Sequence, residues 1–282
     1  MAKGHKLAVF DIDGTIAVKG EILPSVIEGI RHIQSKGYLT TVSTGRAYLR
    51  MRKALGKDFE TVISPEALIS LEHGTKMVHR DGRIVQADYF GKGEVEHIVD
   101  FIQANIAMVR YFWYALPDPE APYEFWVSPD EDIEAVREKR GSYGNVFTCS
   151  YEELKERMHR HEISHVAAKL QDFIATENLK LRFTRSSIDV LFLDGLMQIV
   201  GNLSDKSKAI EYLEKFHEVA VKDMLIAGNA INDVDMLNLK AGKRILVGND
   251  EFTPIVLGHL KDVDEVIRVD SPEKLGEYLQ GM

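Results

Sequence analysis

Apolar positions in the first third of the chain fall into short runs and helical stripes that alternate. Residues 6–10 (KLAVF) form an apolar run that stops at Asp11. Residues 24–34 carry Val26, Ile27, Ile30 and Ile33 at helical spacing, and Gly37 closes the segment. Residues 38–43 are β-rich. Gly45-Arg46 then opens a second helical stretch ending near Leu55, and residues 61–63 read as a third short strand. A βαβαβ beginning of this kind predicts parallel strands with crossover helices.

The middle of the chain has a different rhythm. Gly74 and Asp81-Gly82 punctuate short alternating runs, which predicts hairpins. Helical spacing covers 94–103, 130–140 and 151–160. Aromatic runs at 110–116 and 123–127 read as strands, as do 163–170 and 188–193. Strand and helix do not strictly alternate here, so an antiparallel α+β segment is expected. The tail returns to βα alternation, with helices at 206–216, 234–239 and 272–279 and strands at 224–227 and 244–247. The expected fold is therefore α/β: a Rossmann-like core with a parallel sheet, built from residues 1–84 and 194–282. An α+β domain, residues 85–193, is inserted between them.

Composition narrows the function classes. With 282 residues, 45% of them hydrophobic and 28% charged, the chain is globular and long enough for two modest domains. Cys149 is its one cysteine, which excludes an internal disulfide and fits a reducing, cytoplasmic setting. A net charge of −9 speaks against nucleic acid or an anionic membrane as partner. No apolar run reaches the ~20 residues that span a bilayer, and residues 1–6 lead into the first strand with no signal-peptide core.

The candidate chemistry begins where the first strand ends. In open α/β sheets, ligands sit outside the carboxyl ends of the strands. The segment FDIDGT puts Asp11 and Asp13 there, two apart. Carboxylates so placed repel each other unless a cation or shared proton intervenes. Magnesium suits such a pair, since it takes a few carboxylates together with waters and phosphate oxygens. A calcium loop is excluded, because its twelfth position would be Ile22. Three further blocks follow. TVSTGR (41–46) places hydroxyls and a glycine before a helix, a ready anion cradle. Lys206 opens a helix, and its charge offsets a carboxylate and a phosphate. GNAIND (228–233) is a turn of amides and acids after a short strand.

Together the four blocks resemble the haloacid dehalogenase-like phosphohydrolases. Their order and spacing are most similar to the Cof-type subfamily, subclass IIB, whose α/β cap lies between the second and third motifs. The resemblance covers roughly residues 5–80 and 200–270. It implies a magnesium-dependent phosphatase acting on a small phosphorylated metabolite, a sugar phosphate or similar. In the family pattern Asp11 is the nucleophile and Asp13 the general acid/base, whose main-chain carbonyl also faces the metal. Thr44 and Gly45 hold the phosphoryl oxygens, with Ser43 as the alternative hydroxyl and Arg46 beside them. Lys206 neutralises charge, Asn232 lies near the phosphate, and Asp233 supports metal or lysine. Magnesium would be held by Asp11, Asp13, Asn229 and Asp233. At 229 the family pattern has an aspartate that ligates magnesium directly; here the position is Asn229. Two readings follow: a hydrolase that tolerates the neutral amide, or a phosphometabolite-binding relative with weak or no turnover.

Other motifs carry less. His161-Glu-Ile-Ser-His165 matches a zinc-protease pattern, but that pattern needs a helix. In a strand, residues four apart lie ~13 Å from each other. Asn202-Leu-Ser204 is a glycosylation sequon in a chain read as cytoplasmic. Alternate members of Tyr111, Phe112, Trp113, Tyr114, Phe125 and Trp126 are expected in a core, and the others against a substrate. Arg110, Glu124, Arg182 and Arg185 are candidates for reading a leaving group.

Overall fold

The computed structural model of the chain describes residues 6–105, 108–119, 121–170, 188–193, 196–201 and 205–282. The chain divides into two compact units. One comprises Met1–Arg46, Arg50–Gln86 and Asp205–Met282, the other Ala47–Leu49 and Ala87–Ser204.

The first unit is built on a five-stranded parallel sheet. Its spatial order is Val266–Val269, Lys243–Val247, Met224–Gly228, Lys6–Phe10, Tyr38–Val42. Side chains alternate across a strand. Leu7 and Val9 therefore share one face with Met224 and Ile226, and Ala209, Ile210 and Leu213 of the helix Lys206–His217 cover it. The helices Pro24–Ser35 and Pro272–Gln280 meet backbone to backbone. A Cβ on Gly29 would stand 2.7 Å from the carbonyl oxygen of Gly276, so a larger residue at either glycine forces them apart. The expected hairpins form a small antiparallel sheet of Ile69–Leu71, Lys76–Val78 and Ile84–Ala87.

The strand expected at 61–63 is not formed. Phe59–Val62 is one helical turn that buries Phe59 and Val62, three residues apart, on the same side. The Arg52 guanidinium lies 4.1 Å from the centre of the Phe59 ring, and Gln34 Nε2 donates to the Thr61 carbonyl at 2.7 Å. Those contacts outweigh the β preference of Thr61, Val62 and Ile63. The chain rejoins the sheet edge only where Ser64 N–H donates to the Thr40 carbonyl at 2.9 Å.

The second unit holds a six-stranded sheet. Its order is Gly144–Phe147, Tyr123–Val127, Val109–Ala115, His165–Leu170, Leu196–Gly201, Ile188–Leu193. Neighbours are antiparallel except the first pair, which is parallel. The helices Lys92–Ala104 and Tyr151–His159 pack against Phe112, Tyr114 and Trp126 on one face. Tyr111, Trp113 and Phe125 alternate with them and are also buried, beside Val136 and Val146. The aromatic alternation thus separates two packed faces, and the expectation that one set stays open is corrected. Glu124 is the polar centre of this unit. It accepts from Arg157 at 2.7 and 2.6 Å and from the Tyr114 hydroxyl. Arg110 is paired with Glu131 through two bonds of 2.9 Å.

His161 sits in a bend and His165 opens a strand, where its Nε2 lies 3.0 Å from Gln198. The helix that a zinc-protease motif requires is therefore not present at 161–165. Asn202, Ser204, Arg182 and Arg185 lie outside the described residues. Among the described residues no helix is long and apolar enough to cross a membrane.

Candidate active site

The strand Lys6–Phe10 pairs with Tyr38–Val42, next along the parallel sheet in chain order, on one side and with Met224–Gly228 on the other. Strands that follow it in the chain flank it on opposite sides, which makes its carboxyl end a topological switch point, where open sheets bind ligands. Three loops converge there. Asp11 N–H donates to the Ala227 carbonyl and Ser43 N–H to the Phe10 carbonyl, both at 2.9 Å, so sheet pairing continues into the loops and fixes their starts.

Asp11 is 6% exposed, and its Oδ1 accepts from Lys206 Nζ at 2.6 Å. The same ammonium donates to Asp233 Oδ1 at 2.5 Å. Lys206 is the first residue of its helix, whose N-cap Asp205 accepts from Lys208 N–H at 2.8 Å. That cap fixes the helix start, and the start places the ammonium. Burial pushes the Asp11 carboxyl up to about 7; Lys206 opposes this and Asp233 adds to it. Burial also works against the charge on Lys206, but Asp11 and Asp233 together hold its ammonium well above the usual lysine range.

Asp233 is fully buried. Its second oxygen, Oδ2, accepts from the N–H groups of Asn229 and Ala230 at 2.8 and 3.0 Å. Gly228 allows this closure, since a Cβ there would stand 2.5 Å from Asp233 Cβ. Both oxygens of Asp233 are thus engaged by N–H donors. Through them it supports Lys206 and shapes the turn. Asn232 lies in the same turn, half-buried.

Asn229 stands beside Asp11 through Thr15. The Thr15 hydroxyl donates to Asn229 Oδ1 at 3.0 Å and lies 3.5 Å from Asp11 Oδ2. Thr15 is fully buried and was not singled out from the sequence, although a hydroxyl two residues past Asp13 was the available signal. Gly14 is at φ +82°, and a Cβ on it would stand 2.3 Å from Asn229 Nδ2. Glycine is therefore needed for both the turn and the space.

Asp13 is paired with Arg46. Its carboxylate accepts from Arg46 Nε and Nη2, each at 2.7 Å, and its side chain is 55% exposed. Arg46 closes the loop whose Ser43 hydroxyl is committed to Ser70 Oγ at 3.1 Å, and whose Thr44 Oγ1 accepts from Arg46 N–H at 3.2 Å. The Ser43 hydroxyl thus donates within the protein, while the Thr44 hydroxyl oxygen accepts. Gly45 lies between Thr44 and Arg46 and is half-buried.

The donors near Asp11 fit a hard cation by chemistry. The Asp11 carboxylate, the Asn229 amide and the Asp13 main-chain carbonyl all offer oxygen, with one formal charge among them. Magnesium accepts such a set when phosphate and water complete it. Among the described residues no group of three His, Cys, Asp or Glu is arranged to hold a metal.

Known proteins bear on this arrangement. The chain is 24% identical over 248 residues to an HMP-PP phosphatase of Cronobacter sakazakii, covering 86% of this chain and 84% of that one. An HMP-PP phosphatase of Yersinia pestis is 22% identical over 263 residues, covering 87% and 84%. Among solved structures, a phosphatase of the haloalkanoate enzyme superfamily from Bacteroides thetaiotaomicron superposes with a TM-score of 0.74 at 16% identity, covering 98% of this chain and 94% of that one. A subclass IIB sugar phosphatase gives 0.73 at 15% identity, covering 98% of both. At such identities the structures speak for the fold alone. The profile of one family matches residues 8–253, which takes in all four motif blocks, and the chain belongs to the haloacid dehalogenase-like hydrolases.

Proposed function

We propose that the chain is a phosphatase that hydrolyses a small phosphorylated metabolite through an aspartyl-phosphate on Asp11. The observation that carries this reading is the buried Asp11 carboxylate at the switch point, with Lys206 Nζ on Oδ1 at 2.6 Å and Oδ2 turned toward Thr15. Phosphoryl transfer needs charge neutralisation and in-line positioning above all. Oδ2 attacks phosphorus, the bond to the leaving oxygen breaks, and that oxygen takes a proton from Asp13. A water then gives a proton back to Asp13 and attacks the same phosphorus. The bond to Asp11 breaks, and inorganic phosphate leaves. Thr44, Gly45, Arg46 and Asn232 hold phosphoryl oxygens; Lys206 balances the charge of Asp11 and the phosphate. Magnesium, held by Asp11, Asn229 and the Asp13 carbonyl, would supply further charge neutralisation when bound.

Residues 1–84 and 194–282 are proposed as the hydrolase core and 85–193 as a cap domain that selects the leaving group. The names of the relatives, HMP-PP phosphatase and sugar phosphatase, support a small phosphorylated metabolite as substrate, with a sugar phosphate or similar as the finer assignment. The acidic balance and single cysteine support a cytoplasmic enzyme with no nucleic-acid or membrane partner. Asn229 favours one second reading, a phosphometabolite-binding relative with little turnover.

A magnesium-dependent assay on a minimal aryl phosphate separates the two readings. Asp11→Asn should lose several orders of magnitude in turnover with the fold intact. A variant that kept more than a few per cent of wild-type turnover would remove Asp11 from the nucleophile's role.

A further inference from the structure

Beside the phosphate loop runs a turn that the mechanism above does not use. Glu72, His73 and Gly74 have φ values of +52°, +59° and +95°, three consecutive residues in the left-handed region. Glycine enters that region freely, but Glu and His do so at a penalty. Such strain persists only where the surroundings over-determine it, and here they do. Thr44 N–H donates to the Ser70 carbonyl at 3.0 Å, His73 N–H to the Thr44 carbonyl at 3.1 Å, and Glu72 N–H to the Arg46 carbonyl at 3.2 Å. These bonds zip the turn to the full length of the loop from Thr44 to Arg46. The turn is braced from within by Lys76 Nζ on Glu72 Oε1 at 3.1 Å, a pair whose side chains are 5% and 1% exposed.

Two close approaches say what the turn separates. The imidazole of His73 lies against the α-carbon of Gly45, so near that a Cβ on Gly45 would stand 2.5 Å from its Cε1 and Nε2. On the other side, a Cβ on Gly74 would stand 2.5 Å from the carbonyl oxygen of Asp205, the N-cap of the helix that Lys206 opens. The turn is therefore a wedge with the phosphate loop on one face and the root of the Lys206 helix on the other.

We propose that His73 is a positioning residue for phosphoryl binding. The flat face of its ring holds the Thr44–Gly45–Arg46 main chain at a fixed distance from Lys206, so that the loop and the ammonium meet one phosphoryl group together. The proposal rests on the phosphatase reading, since it takes the 44–46 loop as the phosphoryl cradle. Its logic is steric. Gly45 has to lack a Cβ because the ring occupies that space, and His73 has to be left-handed to bring the ring there. Small displacements of a positioning loop cost disproportionately in rate and affinity.

The test compares His73→Gly with His73→Asn. Both residues enter the left-handed region readily, but only asparagine keeps a planar group to lie on Gly45. Binding of inorganic phosphate is measured by calorimetry, kcat and KM on an aryl phosphate, and the melting temperature of each variant. For His73→Gly the expectation is a phosphate Kd weakened roughly ten-fold, KM raised more than kcat is lowered, and a melting temperature no lower than wild type. His73→Asn should stay within about three-fold of wild-type phosphate affinity. Unchanged phosphate affinity in the glycine variant overturns the proposal. So do equal losses in the two variants, or a fall in melting temperature matched by proportional losses in kcat and affinity. Should the glycine variant not fold, the same comparison between His73→Asn and His73→Ala decides. A wild type that turns over aryl phosphate, with variants insensitive at 73, fails this proposal alone. A wild type that binds phosphate without turnover, with affinity still sensitive at 73, fails the phosphatase reading and sustains the wedge.

Discussion

The ammonium of Lys206 lies 2.6 Å from the carboxylate of Asp11, across a sequence separation of 195 residues. Neither group has an appreciable share of solvent, and Asp233 completes the triad from a third loop. An ion pair taken out of water is strongly destabilised when one partner is removed, because the remaining charge has no compensation.

Lys206→Met should therefore cost about 3–5 kcal/mol of stability, since it leaves two buried carboxylates facing each other. The double variant Lys206→Met with Asp233→Asn should recover part of that loss. Urea denaturation of the three proteins checks this. A methionine variant as stable as wild type would show the ammonium to be dispensable to the fold.

Asn229→Asp adds a negative charge next to Asp11. Magnesium should bind more tightly, because a hard cation favours anionic oxygen. The metal-free protein should at the same time become less stable, because the new carboxylate repels Asp11. Melting temperatures of both proteins with and without magnesium, together with calorimetric magnesium affinity, read both effects. Unchanged affinity with no larger magnesium-induced stabilisation would remove residue 229 from the ligand set.

Gly14→Ala should lose about 1–3 kcal/mol from its left-handed backbone alone. It should lose more from the contact with Asn229, whose Nδ2 stands 2.3 Å from the new Cβ. Shortening the neighbour relieves only the second part. The loss should accordingly be smaller in an Asn229→Ala background, a coupling that a double-mutant cycle measures. Additive losses would mean that the two residues do not touch.

Acid should weaken the second unit through Glu124. Burial by itself would raise this carboxyl, but the hydrogen bonds from Arg157 and Tyr114 more than offset it and hold the group below the usual carboxylate range. A group depressed in the folded state binds fewer protons there than in the unfolded chain. Its contribution is full above the unfolded value and is lost as pH falls through the folded one. Glu124→Gln should be less stable than wild type near neutrality, and the difference should shrink from about pH 5 downward. Melting temperatures of the two proteins across that range test it; a constant offset would show that the carboxylate's charge plays no part.

The site was legible where chemistry interrupts an obvious pattern. The apolar run 6–10 ends abruptly in Asp11, and Lys206 opens an amphipathic stripe, so both could be placed on the ends of elements before any coordinates. The strand Gly144–Phe147 was not legible. It is a four-residue strand between two helices, and its pairing with Tyr123–Val127 is a long-range fact with no local signature. The stretch 61–63 misled because β-branched residues advertise a strand, while Phe59 and Val62 together bury a helical face. The left-handed run at Glu72 and His73 was hidden for a different reason. Local preference assigns that conformation to glycine and asparagine, and only the loop bonded against it selects it here.

The position of the strand Lys6–Phe10 in its sheet bears on how the chain is made. One neighbour, Tyr38–Val42, leaves the ribosome soon after it, but the other is Met224–Gly228. At roughly 5–20 residues per second, the wait between them lasts on the order of ten seconds or more. Throughout that interval one edge of an apolar strand offers its N–H and C=O row to any passing chain. Asp11 thus follows a strand made well before its second sheet neighbour and locked only when that neighbour arrives. Nascent chains stalled before residue 224 should accordingly be the ones that chaperones retain.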